Sequence, residues 1–179
     1  LSSSDAVVLL GAGSSGPSLG SAWTLSVWFK GAQNRASIYR TLFRGGLGHH
    51  LLLANLNSDN VGTWNSSAPS LSEFRQFGTY NMSAIGNDGN WHHVVVVGQS
   101  GVSTLYVDGV AVGVSASQST LDIFALGNHQ TGGQRFADFI DEFLFYNTAF
   151  NASQVNSLYR TYSCVPATTT TTTDRKSVV

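Results

Sequence analysis

Trp64 stands in the chain's most amide- and hydroxyl-rich stretch, Leu56–Ser72, flanked directly by Thr63 and Asn65. An aromatic face packs on the C–H surface of a sugar ring, while amides and hydroxyls bind its hydroxyl groups. Asn60, Asn65 and Tyr80 are the residues that can serve Trp64 in this way, and the alternative is that Trp64 closes the edge of a core. Carboxylates are scarcer, and their closest grouping is Asp138, Asp141 and Glu142. Glycoside hydrolysis needs two carboxyl groups held about 5–9.5 Å apart across a cleft. Most other acids lie singly in loops. The adjacent pairs His49/His50 and His92/His93 fall on strand patterns, where neighbouring side chains point to opposite faces. Neither pair can close on one ion, and a zinc site would need spaced ligands. His92 and His93 are expected to hydrogen-bond within the sheet and its loops. No G-x-S-x-G, P-loop or dinucleotide fingerprint is present.

These residues need a scaffold, and its centre is Asn90–Gly113, NWHHVVVVGQSGVSTLYVDGVAVG. Val94–Val97 is short and β-branched, so it reads as a strand. The chain turns at Gly98–Gly101, runs out again through Ser103–Val107, and reverses at Asp108-Gly109. A three-strand meander results, with Trp91 expected in its core at a cost of about 3–5 kcal/mol if truncated. Upstream, Asp5–Leu10 reads as a first strand. Trp23–Lys30 alternates, placing Trp23, Leu25, Val27 and Phe29 on one face and Thr24, Ser26, Trp28 and Lys30 on the other. Trp23 and Trp28 are both expected in the core. Further strands are predicted at Ile38–Arg44, His50–Asn55, Phe74–Tyr80 and Asp122–Leu126, with Leu56–Ser72 and Asn81–Gly89 as loops. Phe136–Tyr146 is apolar on both parities and is expected to be covered on both faces. One helix follows. Asn151 caps it, Gln154 completes a capping box, Phe150 staples onto Val155, and Val155, Leu158 and Tyr159 form its buried stripe.

Composition narrows the function. The 179 residues carry nine basic and ten acidic side chains, a net charge of −1, with only 11% charged. That is one domain's length, without the basic stripe that nucleic acid requires or the roughly 20-residue apolar run of a membrane span. The chain starts at Leu1, not Met, and reads as a fragment open at its N-terminal end. The lone Cys164 is either a free thiol or half of a bridge to a segment upstream.

The run "WHHVVVV…STLYVDGVAVG" resembles the W-H-H-V-A…L-Y-V-D-G signature of laminin-G-like domains of the concanavalin A-like lectin/glucanase superfamily, relatives of the pentraxins. "WTLSVWFK" is similar to that family's F-T-V-S-A-W-V-K strand. Ile140-Asp141-Glu142 and Tyr146-Asn147 match its closing G-x-I-D-E-V-R-I-Y-N strand, although the family's Gly is missing there. The terminal helix fits as well. The resemblance implies an all-β, two-sheet antiparallel jelly-roll sandwich with one short C-terminal helix, over residues 1–163. It also implies a non-catalytic extracellular or cell-surface recognition module within a larger multidomain protein. Glycan binding is the first expectation, with glycans or extracellular glycoproteins as partners and neither nucleic acid nor membrane insertion. A protein-adhesion or structural module is the second. A glycosidase is the weakest, because Asp138-Phe139-Ile140-Asp141-Glu142 keeps neither the E-x-D-x-E nor the E-x-D-x-x-E pattern of the glucanase relatives. The loop matching the pentraxin calcium site, Asn128-His129-Gln130, offers amides and an imidazole instead of carboxylates. One structural calcium at Asp5 and Asp141 is the metal site this fold still allows. Its alternative is Asp141 accepting backbone hydrogen bonds.

Past Cys164 the chain becomes a Thr-rich, mucin-like linker through Thr173. Residues 174–179, DRKSVV, match a reading frame of a sequencing-library adapter and read as a sequencing or cloning scar. Three glycosylation sequons begin at Asn65, Asn81 and Asn151. Asn65 and Asn81 are the expected acceptors, since Asn151 is committed to its cap.

Overall fold

The computed structural model describes residues 7–8, 18–32, 39–45, 48–53, 59–65, 73–119, 122–129 and 132–163. Asp5, Cys164, the Thr-rich segment and the terminal hexapeptide lie outside them, as does the side chain of Asn65. In chain order the elements are β1 (Val7–Val8), β2 (Ala22–Ala32), β3 (Arg40–Gly45), β4 (Gly48–Leu53), β5 (Asn60–Asn65) and β6 (Glu73–Asn81). A one-turn helix α1 (Ser83–Gly86) leads into β7 (His92–Gln99), β8 (Val102–Val107), β9 (Val110–Ser115), β10 (Ile123–Leu126) and β11 (Ala137–Tyr146). Helix α2 (Ala152–Tyr162) closes the described chain. The strands form two antiparallel sheets, one ordered β1-β10-β3-β4-β5-β6 and the other β11-β2-β7-β8-β9.

Strand parity builds the core between the sheets. Trp23, Leu25, Val27 and Phe29 of β2 are fully buried against Val94 and Val96 of β7 and Leu105 of β8. The facing sheet supplies Leu42, Phe43, Val61 and Phe77. Trp23 pairs directly with Gly98 across β2 and β7, and a Cβ at Gly98 would run into the indole. The meander hairpins turn as expected. Ser100-Gly101 and Asp108-Gly109 all take positive φ, at 54°, 83°, 49° and 80°, which twists the two-residue turns to match their strands.

Helix α2 lies on the outer face of the five-stranded sheet. The Thr24 hydroxyl fastens the approach to it by donating to the Thr148 carbonyl and accepting from the Phe150 N–H, at 2.8 and 2.9 Å. Asn151 and Gln154 exchange the two expected capping hydrogen bonds. Val155 then seals a second small core with Val95, Val97 and Tyr106, against which Phe150 packs. The Asp108-Gly109 turn tucks beneath the helix, where a Cβ on Gly109 would meet Asn156 Nδ2 at 2.9 Å and Tyr159 at 3.1 Å.

Several sequence-based expectations are corrected. Leu56–Ser72 is not loop throughout, because β5 lies within it. Its polar composition hides an alternation in which Val61 and Thr63 face inward while the ring of Phe74 covers Gly62. Asn81–Gly89 contains the extra turn α1. Trp91 is not core but 43% exposed. The inward residues of β7 are the even-numbered His92, Val94 and Val96, so Trp91 falls on the outward parity, beyond the end of α2. Trp28 is only half-buried, since α2 covers it from one side alone. Nor is β11 covered on both faces. It is an edge strand, with Phe139, Asp141 and Glu142 exposed and a bulge between Asp141 and Leu144.

Candidate ligand-binding site

Trp64 sits on β5, not in a loop, and is half-buried. Its ring meets Tyr39 edge-on at 5.4 Å and pairs across the strands with Phe74, making a small aromatic patch outside the six-stranded sheet. Asn60 lies four residues away, about 13 Å along the strand. Its Oδ1 is only a long 3.4 Å from Asn81 Nδ2. Tyr80 turns to the main core instead, and burial, aided by Asp108, pushes its hydroxyl up to about 12. Asn60, Trp64 and Tyr80 are therefore not brought together.

The histidines are structural in their surroundings. His92 Nδ1 lies 2.8 Å from Asp108 and Nε2 3.0 Å from Asp88, so neither ring nitrogen is left to act as a base on a substrate. Burial pulls its pKa down, but the two carboxylates outweigh that and hold it raised. Asp108 also accepts from the His93 N–H at 2.9 Å, fixing the hairpin to β7. His93 bonds Ser26 at 2.8 Å and stacks against Trp28 and Tyr159, which also stack on each other. Burial pushes it down to about 4.

Among the described residues no group of three or more His, Cys, Asp or Glu is placed to hold a metal ion. Asp141 Oδ1 accepts the Glu142 N–H at 2.9 Å. Asn128, in the loop compared with a calcium site, is buried and accepts two backbone N–H groups of its own loop. Calcium takes six to eight oxygen ligands, and Asp141 with Glu142 begins such a set without completing it.

The arrangement the sequence does not reveal lies where α2 ends. A cleft of about 430 Å³ is lined by Trp28, Trp91, Asp141, Glu142, Thr161 and Tyr162. Each element supplies its part by parity or by geometry. Trp28 pairs with Asp141 across β2 and β11, so both stand on the outer face. Trp91 precedes β7 on that same face and meets Phe139, the next outward residue of β11, at 6.4 Å. The bulge puts Glu142 at φ +51°, and its side chain lines the cleft beside that of Asp141. The last turn of α2 adds Thr161 and Tyr162. Trp91, Phe139 and Tyr162, at 43%, 58% and 38% exposure, are the exposed large aromatics among the described residues, and all three gather here. The indole N–H of Trp28 is buried with no acceptor among the described residues. A second cleft, of about 440 Å³, runs along the other side of the β11 bulge and shares Asp141 and Glu142. The one signal in the sequence was the outward parity of Trp91, readable once Val94 and Val96 are assigned to the core.

A family model described as the concanavalin A-like lectin/glucanases superfamily matches residues 2–156. Comparison with curated proteins finds no match. Among solved structures, the receptor-binding domain of the botulinum neurotoxin C/D mosaic serotype superposes with a TM-score of 0.58 at 15% identity, over 80% of this chain and 37% of that one. The binding domain of botulinum neurotoxin DC in complex with SialylT gives 0.54 at 11%, over 78% and 35%. Trypanosoma rangeli sialidase in complex with 2,3-difluorosialic acid gives 0.52 at 16%, over 78% and 22%. At such identities the likeness is one of fold alone. The chain spans well under half the length of each.

Proposed function

Since this chain belongs to the concanavalin A-like lectin/glucanases superfamily, we propose that it is a non-catalytic glycan-binding module whose site is the cleft between β11 and the end of α2. One observation carries this reading: two exposed aromatics, Trp91 and Tyr162, line one cleft on the outer face with two carboxylates and a threonine hydroxyl, and the exposed Phe139 packs beside Trp91. Sugar sites combine such aromatic surface with a few polar groups that fix orientation. Trp91 supplies the platform, Tyr162 a second wall, and Asp141, Glu142 and Thr161 the hydrogen-bonding groups. Extracellular residence and membership of a larger protein belong to the same proposal. No helix among the described residues is long and apolar enough to cross a membrane.

Two features support binding over turnover. Asp138 is tied to Arg135 at 3.2 Å, and both ring nitrogens of His92 already face carboxylates. Calorimetry of the parent and Trp91→Ala against a panel of oligosaccharides tests the reading. The variant should lose binding and keep its fold, because Trp91 is substantially exposed. A sugar that binds both proteins equally would move the site elsewhere. The exposed Trp91–Phe139 pair also suits a protein-adhesion surface. That reading predicts no sugar binding by the parent at all.

A further inference from the structure

We infer that the cleft selects glycans carrying protonated amines, such as de-N-acetylated amino sugars, over neutral or acidic ones; this rests on the glycan-binding reading above. The six lining residues include two carboxylates and no cation. Among the described residues neither Asp141 nor Glu142 makes an ion pair, and the one hydrogen bond of the Asp141 side chain is to its neighbour's backbone. Among the described residues, Arg135 holds Asp138 and Arg160 turns back to Asn156 at 2.8 Å. Lys30 lies on the same outer face between Phe139 and Trp91, so the two carboxylates exceed the cations beside the cleft by one charge. A negative potential therefore remains in the cleft beside the π-faces of Trp91 and Tyr162, and an ammonium group is attracted to both at once. A sialic acid carboxylate would be repelled by the same two side chains. Charge thus separates this cleft from one suited to acidic sugars, although the fold is shared with proteins solved in complex with sialylated ligands. Hydrogen-bonding groups that an amine alone would not need are also present. Thr161 and Tyr162 each bring a hydroxyl to the cleft. An amino sugar uses these with its ring hydroxyls, whereas a lysine side chain has none to offer.

The test is calorimetry of the full chain against a glucosamine tetrasaccharide, its fully N-acetylated counterpart, a sialyl oligosaccharide and a tetralysine peptide, at a pH where the amines are protonated. The glucosamine oligomer should bind about tenfold tighter than the N-acetylated one, lose that margin at high salt, and outbind tetralysine. Asp141→Asn combined with Glu142→Gln should erase the margin between the glucosamine oligomer and its N-acetylated counterpart. Asn keeps the Oδ1 acceptor for the bulge, and a melting curve checks that the variant is folded. The inference is overturned if the N-acetylated or sialyl sugar binds as tightly as glucosamine, if tetralysine does, or if the margin survives the double variant. Those results would leave the glycan-binding reading standing. Absence of binding by any sugar, or sugar binding indifferent to Trp91→Ala, would instead sink that reading and the inference with it.

Discussion

His50 and His93 are both held neutral by the fold. His50 is fully buried edge-on to Trp23, and desolvation pushes it down to about 4 despite the nearby Asp122 carbonyl. Desolvation also takes His93 down to about 4 against the pull of Asp108. Below the ordinary value of 6.5 the unfolded chain binds protons that the native state refuses, so stability is lost as pH falls toward 4. Each group costs on the order of 3 kcal/mol of stability once the pH is below both its unfolded and its folded value, and nothing well above 6.5. His92 acts with the opposite sign. Its raised pKa stabilises the fold below its unfolded value, and that contribution fades as pH rises through the folded one. Thermal melts across this range should show an acid limb that His50→Leu flattens. An unchanged limb would mean that His50 charges freely in the native state. The tryptophans divide at this scale too. Trp64→Ala should cost about 2 kcal/mol, since Trp64 is half-buried against Tyr39 and Phe74, and lower the melting temperature by about 2–4 °C per kcal/mol. Trp91→Ala should cost about 1 kcal/mol or less. A larger loss at Trp91 than at Trp64 would contradict this assignment of exposed and packed rings.

At the scale of elements, α2 decides which outward residues become buried. Its position depends on its N-cap and on the Gly109 turn beneath it. Asn151→Ala should destabilise by about 1 kcal/mol, by removing the acceptor for the Gln154 N–H. Gly109→Ala should cost more than 1 kcal/mol, because alanine is strained at φ +80° and its methyl would press on Tyr159 and Asn156. Denaturant titration of both variants checks the order, and an Asn151→Ala loss exceeding that of Gly109→Ala would contradict it. The cap has a covalent consequence. In a secretory host, Asn81, exposed at the end of β6, should be glycosylated more fully than Asn151. Among the described residues Asn81 holds only the Ser83 N–H and a long contact to Asn60, whereas the side chain and backbone of Asn151 are both tied to Gln154 in a capping box at a helix start. Glycopeptide mass spectrometry showing full occupancy at Asn151 would contradict the persistence of that cap.

For the whole molecule, the two outer faces differ in how they are covered. The six-stranded sheet carries the small Tyr39–Trp64–Phe74 patch, whose rings largely occupy one another. Among the described residues, the five-stranded sheet carries α2 over one part of its face and leaves the β11 edge open beside the end of the helix. A ligand pressing on the first patch must displace existing packing, whereas the second offers an existing cleft. Sugar binding should therefore fail in Trp91→Ala and persist in Trp64→Ala, once the latter's lower stability is allowed for. The reverse result would move the ligand to the six-stranded sheet.

Local chemistry was readable without coordinates. Alternation placed Trp23, Leu25, Val27 and Phe29 inward, Asp108-Gly109 announced its hairpin, and Asn151 with Gln154 announced the helix start. Each depends on residues within a few positions of one another. The strand β5 escaped because its inward pair is only Val61 and Thr63, and its glycine is covered by a ring from β6. The fates of Trp91 and Trp28 depended on something no local pattern carries. Parity says which side of the sheet a residue takes, but the outer side is buried or open according to where α2, some 60 residues beyond Trp91, lies down and stops. The candidate site is the uncovered remainder of that face. Tertiary structure alone decided it, because covering a face is a contact between elements distant in sequence.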